Sequence, residues 1–183
     1  YIDTNDVLSV QVHPNDELAK KNHNSYGKTE MWYIIDAEPD AELILGFNKE
    51  ITAEEFSHAI TSNTLKDTLA VQKVSAGDAF YIPAGLVHAI GKGILLAEIQ
   101  QTSDITYRLY DWDRVDEHGQ GRDLHIDLGL EAIDFSITNT QKISYSVQEN
   151  GTGKIIDSPF FTTNIISAQQ QIKKDYYIID SFI

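Results

Sequence analysis

Two histidines, a glutamate and a glutamine lie in or beside short strand-like runs of this chain, namely Gln11, His13, Glu30 and His88. Imidazole nitrogens together with carboxylate and amide oxygens are ligands that divalent transition metals take in proteins. A divalent metal that accepts five or six ligands keeps room for a substrate beside four such side chains. The chemistry that these residue types could support is therefore that of a protein-held divalent ion.

The run 8–13 alternates apolar and polar residues, as a β-strand with two different faces does. Its polar positions are Ser9, Gln11 and His13, which should therefore point in one direction. A strand with one ordinary solvent-facing side would show the same alternation, although such positions more often hold Thr, Lys or Glu. This run alone leaves both interpretations open.

The run 28–35 is rich in aromatic and β-branched residues and also predicts a strand. Its alternation puts Lys28, Glu30 and Trp32 on one face, so that two charged residues lead an otherwise apolar surface. Such a face is typical of a strand that enters a polar cavity. The alternative is an exposed ion pair, which is common and contributes little to stability.

The third run contains the spacing Gly77-x5-Pro83-x-Gly85-x2-His88. Pro83 ends a strand because it has no N–H to donate, and Gly85 permits a tight corner just before His88. A single histidine in such a place is more often a hydrogen-bonded core residue than a ligand. Four positions at a fixed spacing favour the ligand.

These motifs resemble the cupin superfamily. Gly77, Pro83, Gly85 and His88 match its second motif, and His13 with Glu30 represent the first. Within the cupins, the longer segments resemble type I mannose-6-phosphate isomerases (phosphomannose isomerases) in their short bacterial form, over about residues 1–127. The matching segments are 11–16, 27–33, 83–89 and 98–112.

The resemblance implies a set of site residues and one bound divalent ion, normally Zn²⁺. The implied metal ligands are Gln11, His13, Glu30 and His88, the implied substrate contacts are Ser9 and Lys28, and the implied catalytic residues are Arg108 and Glu98. A surface arginine is the alternative interpretation of Arg108. The amide at Gln11 departs from the usual His-x-His of the first cupin motif.

The implied reaction interconverts mannose 6-phosphate and fructose 6-phosphate through an enediol. It needs a Lewis acid, a cation that stabilises enediolate charge and a proton-transfer group, and Glu98 is the candidate for the last role. Two alternatives remain open at this point: an iron oxygenase with a 2-His-1-carboxylate centre, and a sugar-binding cupin without turnover.

Composition restricts the partners of the chain. The net charge of −14 and the pI near 4.6 disfavour binding to nucleic acids and anionic membranes. The partner that the resemblance implies is a small sugar phosphate, which the net charge mildly disfavours at long range, so local cations must attract it. The sequence contains no cysteine and no apolar run of the ~20 residues that a membrane helix needs. We expect a cytoplasmic protein.

The predicted fold class is all-β, a cupin-type jelly-roll barrel with a few short helices. Helices are predicted from Asn15 to about His23, over 53–60 behind a Thr52–Glu55 capping box, and within 124–132. Strands are predicted at 7–13, 29–35, 41–47, 71–74, 78–82, 86–90, 93–101, 105–110, 142–148, 160–167 and 176–183.

We expect two regions: a metal-binding barrel over 1–130, and further strands over 131–183 that begin a second, truncated cupin-like region. The chain starts with Tyr1 and ends in an apolar run, so it looks like an internal fragment of a longer protein. Strand edges exposed by truncation could pair two copies as a homodimer.

Overall fold

The structure, a computed structural model, describes residues 1–173 and 175 of the chain. Its strands there are β1 (Ile2–Asp3), β2 (Val10–Val12), β3 (Glu30–Ala37), β4 (Glu42–Phe47), β5 (Leu69–Lys73), β6 (Ala79–Ile82), β7 (His88–Ile90), β8 (Ile94–Gln100), β9 (Tyr107–Tyr110), β10 (Thr152–Asp157) and β11 (Thr162–Ile166). Its helices are α1 (Asp16–His23), α2 (Ala53–Thr61), α3 (Ile126–Ala132) and the 3-10 helix Leu65–Thr68. The strand predicted at 176–183 lies outside the described residues. None of the described helices is long and apolar enough to cross a membrane.

The first of two compact units, Tyr1–Lys142, contains two antiparallel sheets. One sheet has the order β1-β8-β3-β6, and the other has the order β5-β4-β7-β2-β9. From β5 to β9, each successive strand lies in the sheet opposite to the one before it. This alternation is typical of a double-sheet jelly roll, and the predicted all-β fold class is confirmed.

The strands of the second sheet divide their side chains between two apolar clusters. Leu43 and Leu45 of β4 pack in a cluster with Trp32, Phe80 and other residues of the first sheet, so this cluster lies between the sheets. Ile44 and its neighbours on the opposite face pack in another cluster with α2. Each large side chain buried in this way stabilises the fold by about 1.5–3 kcal/mol.

The same division decides where the polar residues point. Val10, Val12, Val87 and Ala89 belong to the cluster on the outer face of the second sheet. Because side chains alternate along a strand, the residues between them face the space between the two sheets. His88 is one of these residues, and it is completely buried.

Helices α1 and α2 begin at the predicted caps. The Asn15 side chain accepts a hydrogen bond from the Leu18 N–H, and Thr52 and Glu55 form a capping box. After α1 the chain returns closely past its own start, since a Cβ on Gly27 would lie 2.5 Å from the backbone of Asp16. The predicted helices are confirmed, and α1 lies between His13 and Glu30 in the chain.

Strand β2 is shorter than the predicted run 7–13, because the residues before it are held by other bonds. The Val7 carbonyl accepts from the Arg114 guanidinium at 2.7 Å, and the Leu8 carbonyl accepts from the Trp112 indole at 2.8 Å. The N–H of Leu8 donates to Ile90 O at 2.8 Å. The segment is therefore fixed without a regular ladder.

The second unit, Ile143–Ile183, contains the antiparallel pair β10 and β11. The strand predicted at 142–148 is not formed: the strand of this unit that pairs with β11 is β10, further along the chain. Alternation predicts the faces of a strand and does not predict its partner. That residues 131–183 begin a second cupin-like region stays a prediction.

Candidate metal centre

The candidate ligands come from three neighbouring strand ends between the two sheets. Gln11 is the central residue of β2 and is paired with His88, the first residue of β7. His13 follows the last residue of β2, and Glu30 is the first residue of β3. The sequence-predicted set of four therefore converges in one buried region.

The corner after Pro83 connects two of these ligands. Gly85 has φ +89, and a Cβ at this position would meet the backbone of Asp134 at 3.1 Å, so the corner requires glycine. The Gly85 N–H donates to the His13 carbonyl at 2.9 Å. The glycine of the motif thus ties the approach to His88 to the strand end that carries His13.

Both imidazoles are oriented by backbone carbonyls. Nδ1 of His13 lies 2.8 Å from the Ile105 carbonyl oxygen, and Nδ1 of His88 lies 2.8 Å from that of Leu86. A carbonyl oxygen only accepts, so Nδ1 carries the proton in each ring and Nε2 presents a lone pair. Metal-bound histidines are commonly held in this way.

Glu30 is completely buried, and its two oxygens have different surroundings. Oε2 accepts from the Trp32 indole at 3.0 Å. Oε1 lies 3.2 Å from His13 Nε2 and 2.8 Å from the Lys28 ammonium. Oε1 and Nε2 are the atoms that a metal ion would join.

Oε1 of Glu30 and Nε2 of His13 are both buried; Nε2 has no hydrogen-bond partner, and Oε1 has none beyond its ion pair with Lys28. With the proton of His13 on Nδ1, two lone-pair atoms face each other at 3.2 Å. Such an arrangement is unfavourable in a buried region unless a cation lies between the atoms. The donor set fits a divalent metal ion on this ground.

Protonation equilibria favour the forms that a metal needs. Burial by itself raises the pKa of Glu30, but the contact with His13 and the electrostatic interactions with His88 and Lys28 lower that pKa overall. Burial lowers the pKa of His88 to about 3, and the nearby His13 lowers it further. A carboxylate and a neutral imidazole are the ligand forms of these residues.

One group of His and acidic side chains in the described part of the chain has metal-binding geometry: His13, Glu30 and His88. Their ligand atoms lie within 4.8 Å of one another, and all three residues are buried. Nε2 of Gln11 lies 3.3 Å from Nε2 of His88, which brings the amide to the same group. These ligands would suit zinc, iron or manganese.

The other predicted site residues lie on the strands around this group. Ser9 directly precedes β2 and is buried, as is Lys28. Arg108 is paired with Gln11 across β2 and β9; its Nη1 donates to the Asp123 carbonyl at 2.8 Å, while its buried Nε has no partner. Their assignment to substrate binding and catalysis stays a prediction.

Glu98 lies on β8 directly opposite Trp32 on β3. Its Oε2 accepts from the Trp32 indole at 3.1 Å. Burial raises the pKa of Glu98, and the negative charge of Glu30 raises it further. A carboxyl group with a raised pKa is suited to proton transfer.

Sequence reasoning missed the part that Trp32 plays. We predicted that it shares a face with Glu30, and the structure adds that its indole contacts two carboxylates. The alternation of β3 was the signal for the first contact. The second depends on the register between β3 and β8, which no local pattern encodes.

The chain is similar to several curated and solved proteins, whereas no protein-family model matches it. Mannose-6-phosphate isomerase ManA of Bacillus subtilis is 46% identical over 164 residues, which are 88% of this chain and 52% of that protein. Mannose-6-phosphate isomerase of Streptococcus mutans is 43% identical over 162 residues, 88% of this chain and 51% of that protein. A crystal structure of the mannose 6-phosphate isomerase from Bacillus subtilis has a TM-score of 0.79 at 34% identity, covering 87% of this chain and 51% of that one.

The chain spans about half the length of these curated relatives. The similarity covers most of its own residues and extends from sequence to fold. The resemblance inferred from the metal-binding motifs is confirmed. The chain belongs to the family of bacterial mannose-6-phosphate isomerases, whose jelly-roll, cupin-like fold it shares.

Proposed function

We propose that the chain carries the metal-dependent active site of an aldose–ketose isomerase that interconverts mannose 6-phosphate and fructose 6-phosphate. The observation that carries this proposal is the buried contact at 3.2 Å between Nε2 of His13 and Oε1 of Glu30, two lone-pair atoms without a proton between them. The names of the relatives support the substrate and the reaction.

The proposed metal is one Zn²⁺ ion held by His13, His88, Glu30 and Gln11. Two imidazole nitrogens and two oxygens are an acceptable zinc donor set. The Gln11 amide lies beside His88 Nε2, and a half-turn of the amide would present its oxygen instead of its nitrogen. When bound, the ion supplies Lewis-acid polarisation of the sugar carbonyl and the neighbouring hydroxyl group.

Isomerisation moves a proton between C1 and C2 of the open-chain sugar, so it needs a group that can take and return a proton. Glu98 is our candidate because burial and the charge of Glu30 raise its pKa. Its Oε2 is held by Trp32, which leaves Oε1 for a substrate. Glu98 would remove the proton as a carboxylate and return it as a carboxylic acid.

Negative charge develops on the enediolate oxygens during the proton transfer. Arg108 is our candidate for stabilising this charge, because a guanidinium stays cationic and donates several hydrogen bonds. Its buried Nε has no partner in the described structure, so this donor would be open to a new acceptor. Its Nη1 is fixed by the Asp123 carbonyl at 2.8 Å.

The substrate phosphate approaches a chain with a net charge of −14. Long-range attraction is therefore absent, and local cations must bind the dianion. Lys28 is a buried cation at the site, and Ser9 supplies a buried hydroxyl group on the adjacent strand end. We propose these two side chains as substrate contacts.

A coupled isomerase assay on metal-loaded protein tests the proposal, with the bound metal counted in the same samples. His88→Ala is expected to lose both the metal and the rate, because His88 is a buried ligand. His58→Ala is the matched control, since His58 lies on the exposed side of α2. The Bacillus subtilis isomerase serves as the reference enzyme.

The alternatives give different results in the same samples. Metal and sugar-phosphate binding without turnover would replace the isomerase proposal by a sugar-binding protein. Oxygen uptake with Fe²⁺ and no isomerisation would replace it by an oxygenase. Loss of turnover in His58→Ala as well as in His88→Ala would show that the rate depends on general folding.

We also propose a cytoplasmic location, because phosphorylated sugars are intracellular metabolites, and a homodimer formed through exposed strand edges. Strand β5 is an edge of its sheet, and its Val71 is 55% exposed. Sedimentation of the wild-type chain and of Val71→Lys measures this association. Unchanged monomeric sedimentation of both proteins would reject the dimer.

A further inference from the structure

One indole N–H lies between two buried or half-buried carboxylates at the candidate metal centre. Trp32 Nε1 is 3.0 Å from Oε2 of Glu30 and 3.1 Å from Oε2 of Glu98. Trp32 and Glu30 are two residues apart on β3, so they share a face, and Glu98 is opposite Trp32 on β8. The register between β3 and β8 therefore fixes this contact, and no loop residue takes part in it.

We infer that Trp32 is a positioning residue of the metal centre: its indole N–H makes Glu30 a ligand through Oε1 alone and keeps Glu98 out of the ligand set. This inference rests on the metal site proposed above. It concerns the number of oxygens that ligate the metal, which the ligand motif leaves undefined.

A carboxylate can bind a metal ion through one oxygen or through both. In Glu30, Oε2 already accepts the Trp32 N–H, whereas Oε1 is paired with the Lys28 ammonium and faces His13 Nε2. Bidentate binding would turn Oε2 away from the indole, so that the hydrogen bond to Glu30 would be lost and the N–H would donate to Glu98 alone. The loss of a buried hydrogen bond to a charged group is unfavourable, which favours binding through Oε1 alone.

The indole is well suited to this role because core packing fixes the ring and because its N–H cannot act as a metal ligand. Trp32 is completely buried in the cluster between the sheets, and its ring packs edge-on against His88 at 5.3 Å between centroids. An indole N–H donates only and carries no charge. It therefore orients the two carboxylates without neutralising the negative charge that attracts the metal.

A second consequence concerns Glu98. Glu98 belongs to the strand next to Glu30, and a free carboxylate at this position could become a further metal ligand. The shared N–H holds Oε2 of Glu98 beside Oε2 of Glu30 and away from the His13–Glu30 contact. Glu98 is thereby kept as an uncoordinated carboxyl group, as proton transfer would require.

A purely structural role for Trp32 would have a different signature. The ring fills the core, and its shape alone could account for its burial. Removal of the N–H with retention of the bicyclic shape would then leave the metal centre unchanged. The test must therefore separate the N–H from the ring.

The chain offers this separation because it has two tryptophans, Trp32 and Trp112. In a Trp112→Phe background, β-(3-benzothienyl)alanine supplied in place of tryptophan enters at position 32 only, and it replaces the N–H by sulfur. Trp112→Phe protein with the natural indole is the matched control. Trp32→Phe, with Trp112 intact, is the second variant.

The sulfur analogue and its Trp112→Phe control are loaded with Co²⁺, whose visible spectrum reports coordination number and geometry. The sulfur analogue is expected to show weaker visible bands than the control, because additional carboxylate oxygens raise the coordination number. X-ray absorption of the Zn²⁺ forms should show the same added oxygens. We expect the Co²⁺ affinity to fall about 10- to 100-fold, as is usual when a group that orients a ligand is lost.

Identical spectra and affinities in the sulfur analogue and the control would overturn the inference and leave the metal proposal intact. Absence of Co²⁺ binding in the wild-type chain would overturn the metal proposal, and this inference with it. If the analogue and Trp32→Phe both fail to fold, the N–H is needed for folding and the positioning role is rejected.

Discussion

Two buried carboxylates of the first unit, Glu30 and Asp111, have opposite surroundings. Asp111 is 6% exposed, and arginines saturate both of its oxygens: Arg114 donates to Oδ1 at 2.6 Å, and Arg122 donates to Oδ2 at 2.8 Å and also to Oδ1. Glu30 is fully buried, yet Oε1 faces a lone-pair nitrogen and a single lysine.

The difference separates a structural charge cluster from a binding site. When donors saturate both oxygens of a carboxylate, no lone pair is left for a ligand. The Asp111 cluster therefore has a structural role, which is to hold the chain in place. Arg114 also binds the Val7 carbonyl, and the cluster thereby anchors the segment before β2. An incompletely satisfied carboxylate such as Glu30 is favoured only if a cation binds there.

The strongest test of this contrast is Glu30→Gln. We expect it to abolish stoichiometric metal binding, because the amide removes the negative charge from the buried donor set. In the wild-type chain, Zn²⁺ at 100 times its dissociation constant should stabilise folding by about 2.7 kcal/mol. Thermal unfolding with and without Zn²⁺, together with metal analysis after dialysis, measures both effects.

Asp111→Asn is the control for this experiment and should keep the metal-dependent stabilisation. A metal-dependent shift of wild-type size in Glu30→Gln would remove Glu30 from the ligand set. Loss of the shift in both variants would mean that the two carboxylates are not functionally distinct.

Arg108→Ala tests the unsatisfied cation of the same region. We expect the metal content to remain and kcat to fall about 10²–10³-fold, the effect of removing one donor that stabilises transition-state charge. Arg108→Lys should recover part of the rate because it keeps the charge without the planar fork of donors. Steady-state kinetics with metal analysis measures this, and Arg108→Ala turning over at the parent rate would reject the catalytic role.

Local interactions could be predicted from the sequence alone. The capping box of α2 joins residues three apart, and the alternation around Gln11 and Glu30 gives the correct inward faces. The Gly85 corner was also predictable, because a positive φ selects glycine. These patterns are sufficient to predict the all-β fold and the four converging side chains.

Contacts between distant strands and loops could not be predicted in this way. Trp32 and Glu98 are separated by 66 residues, and their contact depends on the register between β3 and β8. Asp111 begins the polar, charged segment 111–123, yet it is buried and paired with two arginines. Which charges of a polar loop become buried is decided by packing.

Asp111→Asn is also expected to have an effect of its own, on stability. The substitution keeps the size of the side chain but weakens its charge-assisted hydrogen bonds to Arg114 and Arg122. We expect a loss of about 1–3 kcal/mol in the free energy of unfolding, because two guanidinium groups lose a charged partner. Urea unfolding near neutral pH measures this loss, and unchanged stability would show that the cluster holds nothing in place.

The smallest expected effect is the pH dependence of the difference in unfolding free energy between the wild-type chain and Asp111→Asn. The hydrogen bond from Arg122 lowers the pKa of Asp111 to about 2, against the opposing effect of burial, and Arg114 lowers it further. Between this value and the ordinary aspartate pKa near 3.9, the unfolded chain binds more protons than the folded chain. The stability contributed by Asp111 is therefore complete above about pH 5 and is lost as the pH falls towards 2.

Urea unfolding of the wild-type chain and Asp111→Asn at several pH values between 6 and 3 measures this loss. The lowered pKa of His88 also makes the fold sensitive to acid, but that contribution is common to both proteins and cancels in their difference. The gap in unfolding free energy should narrow as the pH falls. A gap that is constant over this range would mean that the arginines stabilise the charged and the neutral side chain equally, and the contrast with Glu30 would then not depend on charge.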